Sequence, residues 1–233
     1  MFSKEGPTFR ELLDQALSST EKGYDMLATK FDATPFRTPD DVVAVALRDL
    51  GEVDDAIDLC CGTGAGLVAL KQITRNTLVG VDFSQGMLDV AKERLGATRA
   101  RLSLRKADVF DLQEKAAFDL VTCFGAFGHI LEESEPRFLE IVRRLLRPGG
   151  RFVFVTAYEP PFYSRRFLLG KAFNAAMRAR NALFDPPFIM YYLTFLLPRA
   201  ERLLRFHGFD VALERGVFPA PYQELVRVVA TRR

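Results

Sequence analysis

Three carboxylates stand at the ends of three successive apolar runs: Asp58 in IDLCCGTGAG, Asp82 in TLVGVDF and Asp108 in RLSLRKAD. A glycine turn, Gly62, Gly64 and Gly66, follows the first of them. A strand that ends in an acid and runs into such a turn could hold a phosphate, a dinucleotide or a ligand carrying positive charge. A phosphate-cradling loop needs Gly-Lys-Ser/Thr at the start of the next helix, and here Gly66 is followed by Leu67 and Val68. A dinucleotide turn needs glycine at its first, third and sixth positions; Gly62 and Gly64 supply two, and Leu67 occupies the third. Asp58 counts against both, because a carboxylate about 4 Å from a phosphate charge is repelled by about 4 kcal/mol at an effective dielectric of 20. The same carboxylate attracts an amine.

The other two acids extend that logic. Asp82 follows Gly62 by 20 residues, the spacing of a carboxylate that takes both hydroxyls of a ribose. Asp108 can accept a hydrogen bond from an exocyclic adenine amine, with Phe83 or Val109 offering an apolar face to the ring. Amine, ribose and adenine along successive strand ends describe S-adenosylmethionine. Asp111, by contrast, reads as a turn residue.

These residues need elements to hold them. Thr38-Pro39-Asp40-Asp41 reads as a helix start with Thr38 as N-cap, continued by VVAVALRDL and closed at Gly51. AIDLCC and TLVGVDF are strands, and Ser84 caps the helix QGMLDVAKERL up to Gly96. ARLSLRKAD and FDLVTCFG are the third and fourth strands; PRFLEIVRRLL is a helix stopped by Pro148-Gly149-Gly150 before the strand RFVFVTA. Alternating strands and helices imply a doubly wound, mainly parallel sheet with its ligand at the carboxyl ends of the strands. After Tyr158 the rhythm breaks, then resumes as the helix RAERLLRFHG and two closing strands, FDVALERGVF and ELVRVVATRR. The expected division is one α/β domain of seven strands: an N-terminal helical lid (1–37), a cofactor-binding core (38–158), a helical insertion after the fifth strand that caps the substrate (159–197), and a C-terminal helix with closing strands (198–233).

Residues of about 40–158 resemble the class I S-adenosylmethionine-dependent methyltransferases. Their first motif, often Asp-Leu-Gly-Cys-Gly-Thr-Gly, is matched by Asp58-Leu59-Cys60-Cys61-Gly62-Thr63-Gly64, and later signatures follow in order: VGVDFSQGMLDVAKERL, KADVFDL, FDLVTCFGAFGHI and LLRPGGRFVF. Cys60 departs from the pattern, since it stands where the family has its first glycine. The resemblance implies S-adenosyl-L-methionine as cofactor, S-adenosyl-L-homocysteine as product, and cofactor contacts from Asp58, Cys60, Gly62, Thr63, Gly64, Asp82, Phe83, Met87, Asp108, Val109, Cys123 and Phe124. Methyl transfer is an in-line displacement in which the cofactor brings the activation, so the protein chiefly aligns the reactants; orientation alone supplies about 7–11 kcal/mol of the barrier.

A protein base is needed only where the acceptor must lose a proton. His129, in FGAFGHI, is the candidate base, with a structural hydrogen bond to a backbone carbonyl as the rival role. His207 reads as a helix-end residue. The N-terminal segment offers Tyr24, Phe31 and Arg37 as acceptor contacts, and the ends of the fourth and fifth strands add Phe127 and Tyr158. DPPF at 185–188 matches a motif of nucleic-acid amino-methyltransferases, but it lies about 60 residues past the fourth strand, where that motif belongs, and reads as loop chemistry.

Composition bounds the partner. Lys plus Arg at 32 against Asp plus Glu at 30 leaves a net charge of +2, too balanced for a nucleic-acid partner. The N-terminal segment ALSSTEKGYDMLATKFDATPFRTP resembles the lid helix that many small-molecule members of the family place ahead of the core, and that resemblance implies a small-molecule acceptor. Residues 162–184 hold Arg165, Arg166, Lys171, Arg178 and Arg180 with no acid among interleaved phenylalanines, which suits a lid, a membrane-surface helix or simply a solvated basic face. The solvated basic face is the first reading of this helix, and membrane contact is not favoured. Three cysteines, Cys60, Cys61 and Cys123, have no metal-type spacing and read as reduced thiols of a cytoplasmic protein, with no export segment in MFSKEGPTFR and no metal expected. The longest apolar stretch, FIMYYLTFLL, is about half of what a bilayer-spanning helix needs. Two rival functions remain open at this stage: a non-catalytic adenosylmethionine binder, and a nicotinamide-dependent oxidoreductase, which Asp58 and Leu67 disfavour.

Overall fold

A computed structural model describes residues 6–34 and 36–233; residues 1–5 of the expected lid lie outside them. Seven strands form one sheet in the order β3-β2-β1-β4-β5-β7-β6. β1 (Val53–Leu59), β2 (Thr74–Asp82), β3 (Arg101–Lys106), β4 (Phe118–Thr122) and β5 (Leu146–Ala157) run parallel, while β7 (Leu225–Arg232) enters antiparallel between β5 and β6 (Phe209–Arg215). The central strands read as continuous apolar runs because helices cover both of their faces. Ile57, Leu59, Val79, Val121, Phe152 and Phe154 point into one core cluster; Ala56, Leu78, Leu120 and Val153 point into the other.

Strand order reverses at β1, which lies between β2 and β4. Asp58 pairs with Gly80 on one side and Thr122 on the other. A crevice at the carboxyl end of β1 follows from that reversal, and short helices flank it. α3 (Asp40–Leu47) precedes β1, α4 (Ala65–Leu70) follows the glycine turn, α5 (Gln85–Leu95) links β2 to β3, α6 (Glu135–Leu145) precedes β5, and α8 (Arg199–Phe206) precedes β6. Between β3 and β4 the chain makes only a 3-10 turn at Val109–Asp111.

Two boundaries differ from expectation. α3 begins at Asp40 with Pro39 in the N-cap position, so no side chain caps it and Thr38 does not play that role; Asp40 and Asp41 still place carboxylates on its first turn. Pro148-Gly149-Gly150 lies inside β5 instead of ahead of it, because Leu146 already pairs with Phe118 before the register shifts. Ser84 does cap α5, accepting from Met87 N at 3.1 Å.

Ahead of the core, α1 (Phe9–Ala16), α2 (Thr20–Leu27) and a 3-10 turn at Ala28–Ala33 cover the crevice. Asp25 fixes them to α5, taking hydrogen bonds from Ser84 Oγ at 2.6 Å and Gly86 N at 2.9 Å. After β5, α7 (Arg165–Leu183) leads into an irregular segment that returns to the sheet, where Thr156 Oγ1 donates to Phe195 O at 2.9 Å. Tyr24, Ala28, Met87, Met177 and Phe188 pack together as a cluster of their own, joining α2, α5 and α7 above the sheet.

Candidate active site

The β1–α4 turn is built around the two inner acids. Asp82 takes Gly62 N–H at 2.8 Å on one oxygen and Ser84 N–H at 2.9 Å on the other, so the end of β2 holds the glycine turn of β1 in place. Gly62 has φ +52°, and a side chain there would meet no atom within 4 Å, which leaves open space above the turn. Gly66 is needed for the opposite reason: a Cβ would collide with Asp58 Oδ2 and lie 2.8 Å from Asp58 Cγ. Asp58 is only 2% exposed and accepts from Thr122 Oγ1 at 2.6 Å. Burial pushes its carboxyl up to about 7, against the Thr122 hydrogen bond, with the Asp82 charge adding to the rise. Burial also raises Asp82, opposed by its backbone donors. Two carboxyls held above their ordinary range favour a cation beside them.

Cys60 adopts φ +52°, the left-handed region in which a side chain is strained. This backbone requirement explains a glycine at the position in the first motif, and Cys60 meets it at a cost of roughly 1–2 kcal/mol.

A cavity of about 560 Å³ opens over this turn. It is lined by Asp58, Cys60, Gly62, Thr63, Asp82, Phe83, Met87 and Phe124 among the expected cofactor contacts, and by Tyr24, Phe31, Arg37, Phe127 and His129 among the expected acceptor and catalytic residues. A second cavity, of about 250 Å³, shares Cys60, Asp82, Phe83 and His129 with the first and adds Asp108 and Val109. Asp108 also accepts from Phe110 N at 2.9 Å. The acids thus fall along one cleft in chain order: Asp58 and Asp82 in the larger part, Asp82 and Asp108 in the smaller.

Three expected residues line neither cavity. Gly64 packs on α5, where an added Cβ would sit 3.1 Å from that of Ala91. Cys123 is fully buried in the core below the cleft, and its thiol is pushed up by hydrogen bonding with Cys60 and by burial. Tyr158 turns outward, bonded by Arg215, whose guanidinium also lies 4.4 Å above its ring. β5 carries the chain past the end of β4, where the Tyr158 backbone bridges to Leu197.

His129 and Tyr24 meet. Tyr24 Oη lies 2.8 Å from His129 Nε2, and His129 Nδ1 lies 2.6 Å from Ile189 O. A carbonyl only accepts, so Nδ1 carries the proton and Nε2 accepts the tyrosine hydroxyl. Burial lowers the histidine's proton affinity and keeps the ring neutral; burial likewise raises the Tyr24 hydroxyl well above the ordinary tyrosine range. The tyrosine ring stacks on Phe188 at 6.2 Å with an interplanar angle of 10°. The DPPF run therefore ends in a core aromatic, and the carbonyl next to it orients His129.

Arg37 reaches the cavity wall from the N-terminal segment. Its Nε lies 3.1 Å from Asp32 Oδ1 without hydrogen-bond alignment, and its Nη2 pairs with Asp40. Asp32 also accepts from Thr63 Oγ1 at 2.6 Å and from Arg94 at 3.1 Å, so the guanidinium, the glycine turn and α5 share one charged network. Sequence reasoning missed the wall formed by Tyr191, Tyr192, Leu193, Tyr222 and Leu225. These residues sit in an irregular stretch and a closing strand, with no motif or period to mark them.

A mainly parallel seven-stranded sheet with one antiparallel strand, and three acids along a cleft at its switch point, define a class I S-adenosylmethionine-dependent methyltransferase. The comparisons agree: residues 56–150 match the family model of a methyltransferase domain. A demethylmenaquinone methyltransferase of Symbiobacterium thermophilum is 32% identical over 188 residues, 75% of this chain and 66% of that protein. One of Lactococcus lactis is 27% identical over 188 residues, 72% of this chain and 71% of that protein. Among solved structures, the DhpI–SAH complex superposes with a TM-score of 0.66 at 20% identity, over 96% of this chain and 98% of that one. A methyltransferase of Mesorhizobium loti gives 0.58 at 19%, over 84% and 100%. The chain belongs to the class I S-adenosylmethionine-dependent methyltransferases, and S-adenosylmethionine is its cofactor.

Proposed function

We propose that this enzyme methylates a small, largely apolar acceptor that loses a proton during transfer, and that Tyr24 and His129 take up that proton. The observation that carries the reading is the hydrogen-bonded line from the cavity wall inward: Tyr24 Oη to His129 Nε2 at 2.8 Å, and His129 Nδ1 to Ile189 O at 2.6 Å. Because the Nε2 lone pair is taken by the tyrosine, His129 does not meet the acceptor directly. The phenol oxygen does. As the acceptor's hydroxyl or acidic carbon gives up its proton to Tyr24 Oη, the tyrosine's own proton passes to Nε2, and Ile189 O holds the ring in place throughout.

When bound, S-adenosylmethionine supplies a methyl carbon already activated by a sulfonium. The chain's part is to hold it and to exclude water. In this reading Asp82 takes the ribose hydroxyls, Asp108 the adenine amine, Asp58 the methionine amine and Arg37 the methionine carboxylate, a reading supported by all four lining the two cavities. The open space above Gly62 and the two raised carboxyls suit a cationic nucleoside.

The acceptor side is aromatic. Tyr24, Phe31, Phe124, Phe127, Tyr191 and Tyr192 line the large cavity, a surface for a flat ring. Relatives named demethylmenaquinone methyltransferase support a quinol-type ring as the acceptor class. Assay of methyl transfer from labelled cofactor to a panel of hydroxylated naphthoquinols, simple phenols and amines tests this. Transfer to the quinols that is lost in Tyr24→Phe is expected. Transfer confined to amines, which can react without a base, would contradict it.

A further inference from the structure

α7 buries one face and leaves the opposite one uncovered. Gly170, Asn174 and Met177 point inward. There Asn174 exchanges two hydrogen bonds of 2.8 Å with the backbone of Tyr192, and Phe173 meets the Tyr192 ring edge-on at 4.8 Å. Tyr192 and Leu193 line the large cavity. The helix is therefore the outer wall of the cleft, one layer from the acceptor side.

The outer face is not the polar one that a solvated helix presents. Leu168, Leu169 and Leu183 are 56%, 67% and 76% exposed, and the turn leading into the helix exposes Phe162 and Tyr163 at 75% and 73%. At helical spacing, positions 168, 169, 172, 176, 179 and 183 share one side, and all are exposed and apolar. Exposed large apolar groups gathered on one helix face mark a contact surface.

Charge decides what that surface meets. From 160 to 184 there are five cations and no carboxylate. Arg166 pairs with Glu224, Arg180 is held by the carbonyls of Ala16 and Pro186, and Arg178 lies over the Tyr191 ring. Arg165 and Lys171, on the exposed side, have no carboxylate partner among the described residues. Two copies facing each other across this helix would bring their cations together, which disfavours self-association. An anionic lipid surface satisfies both the leucines and the cations.

We propose that α7, with Phe162 and Tyr163, docks the enzyme on anionic membranes: the helix lies in the interface plane, leucines among the acyl chains and cations at the headgroups. No helix among the described residues is long and apolar enough to cross a membrane, so the contact is peripheral. Resting on the functional reading above, its consequence is that an acceptor dissolved in the bilayer meets the cleft through its lid.

Co-sedimentation of the full chain with phosphatidylcholine vesicles, and with vesicles containing phosphatidylglycerol, tests the proposal. Binding to the anionic vesicles at least about tenfold tighter, weakened by high salt, is expected. Arg165→Gln with Lys171→Gln should weaken it about 25-fold, from roughly fivefold for each basic residue near such a surface. Leu168→Glu with Leu169→Glu should abolish it. Because these side chains are exposed, both double variants should keep wild-type affinity for S-adenosylmethionine by calorimetry. That readout separates a failure of docking from a failure of the methyltransferase reading. Equal binding to neutral and anionic vesicles, vesicle binding untouched by the leucine changes, or a dimer in sedimentation velocity that Leu169→Glu dissociates would each overturn the proposal.

Discussion

The raised carboxyl of Asp58 makes cofactor affinity pH-dependent in a direction that can be worked out. With its carboxyl at about 7 in the folded protein, Asp58 is ionised in about 3% of molecules at pH 5.5 and in half of them at pH 7. If the methionine amine of the cofactor needs the ionised form, apparent affinity rises by up to about 16-fold across that window. The window stops at pH 7 because an ordinary α-amine begins to lose its own proton at about 7.7–8.0. Burial lowers the proton affinity of His129, which works against charging of the ring as the pH falls. Calorimetric titration with S-adenosylmethionine at half-unit steps, in buffers of different ionisation enthalpy, measures both the affinity and the proton released on binding, expected to be about half a proton at pH 7. Thr122→Val removes the 2.6 Å hydrogen bond that favours the carboxylate and should move the midpoint upward. Asp58→Asn should flatten the profile. A profile equally steep in Asp58→Asn, or flat in the wild type, would refute the assignment of Asp58 to the amine.

Other outcomes follow from the same geometry. Tyr24→Phe should lower kcat by about 10²-fold on an acceptor that loses a proton, with cofactor affinity unchanged; His129→Gln should do the same, and stopped-assay kinetics with calorimetry checks both. Cys60→Gly relieves the strain of φ +52° but adds glycine's backbone entropy, so urea unfolding should show a gain of about 1 kcal/mol or less. Gly66→Ala drives a methyl into Asp58 Oδ2, and calorimetry should show loss of cofactor binding. Because folding raises the Asp58 carboxyl above its unfolded value, the folded state holds that proton more tightly. Stability tied to it is present at low pH and falls as pH rises from about 4 through 7, so Asp58→Asn should raise Tm more at pH 8 than at pH 5.

The frame of the site was legible because it depends on short-range rules. An acid at a strand end, a glycine turn and a 20-residue spacing follow from how a parallel sheet presents its carboxyl edge, and Asp58, Asp82 and Asp108 could be picked out on those grounds. Cys60 could be flagged as a departure, but only the backbone shows that the position itself is left-handed. What escaped is long-range. The pairing of Tyr24 with His129 spans 105 residues, and the carbonyl that orients the ring lies another 60 away; no local pattern encodes either. Tyr158 illustrates the converse. It follows a strand whose end was correctly placed near the site, yet Arg215 on β6 turns it outward. The DPPF run looked like punctuation, and Phe188 proves to be a buried ring against Tyr24, with its neighbour's carbonyl holding His129. The outward leucines of α7 were hidden by composition alone, since the same residues could have faced inward; only their exposure separates the two.

The most direct test of the central claim is a calorimetric cycle that crosses Asp82→Ala with removal of the ribose hydroxyls from the ligand. The alanine variant, verified as folded by circular dichroism, should bind S-adenosylhomocysteine about 10- to 150-fold more weakly, from the roughly 1.5–3 kcal/mol of a charged hydrogen-bonding site. With an analogue lacking both hydroxyls that loss should largely vanish. An equal loss for both ligands would show that Asp82 serves only to brace Gly62 and Ser84, and unchanged binding would contradict the cleft's assignment to a nucleoside.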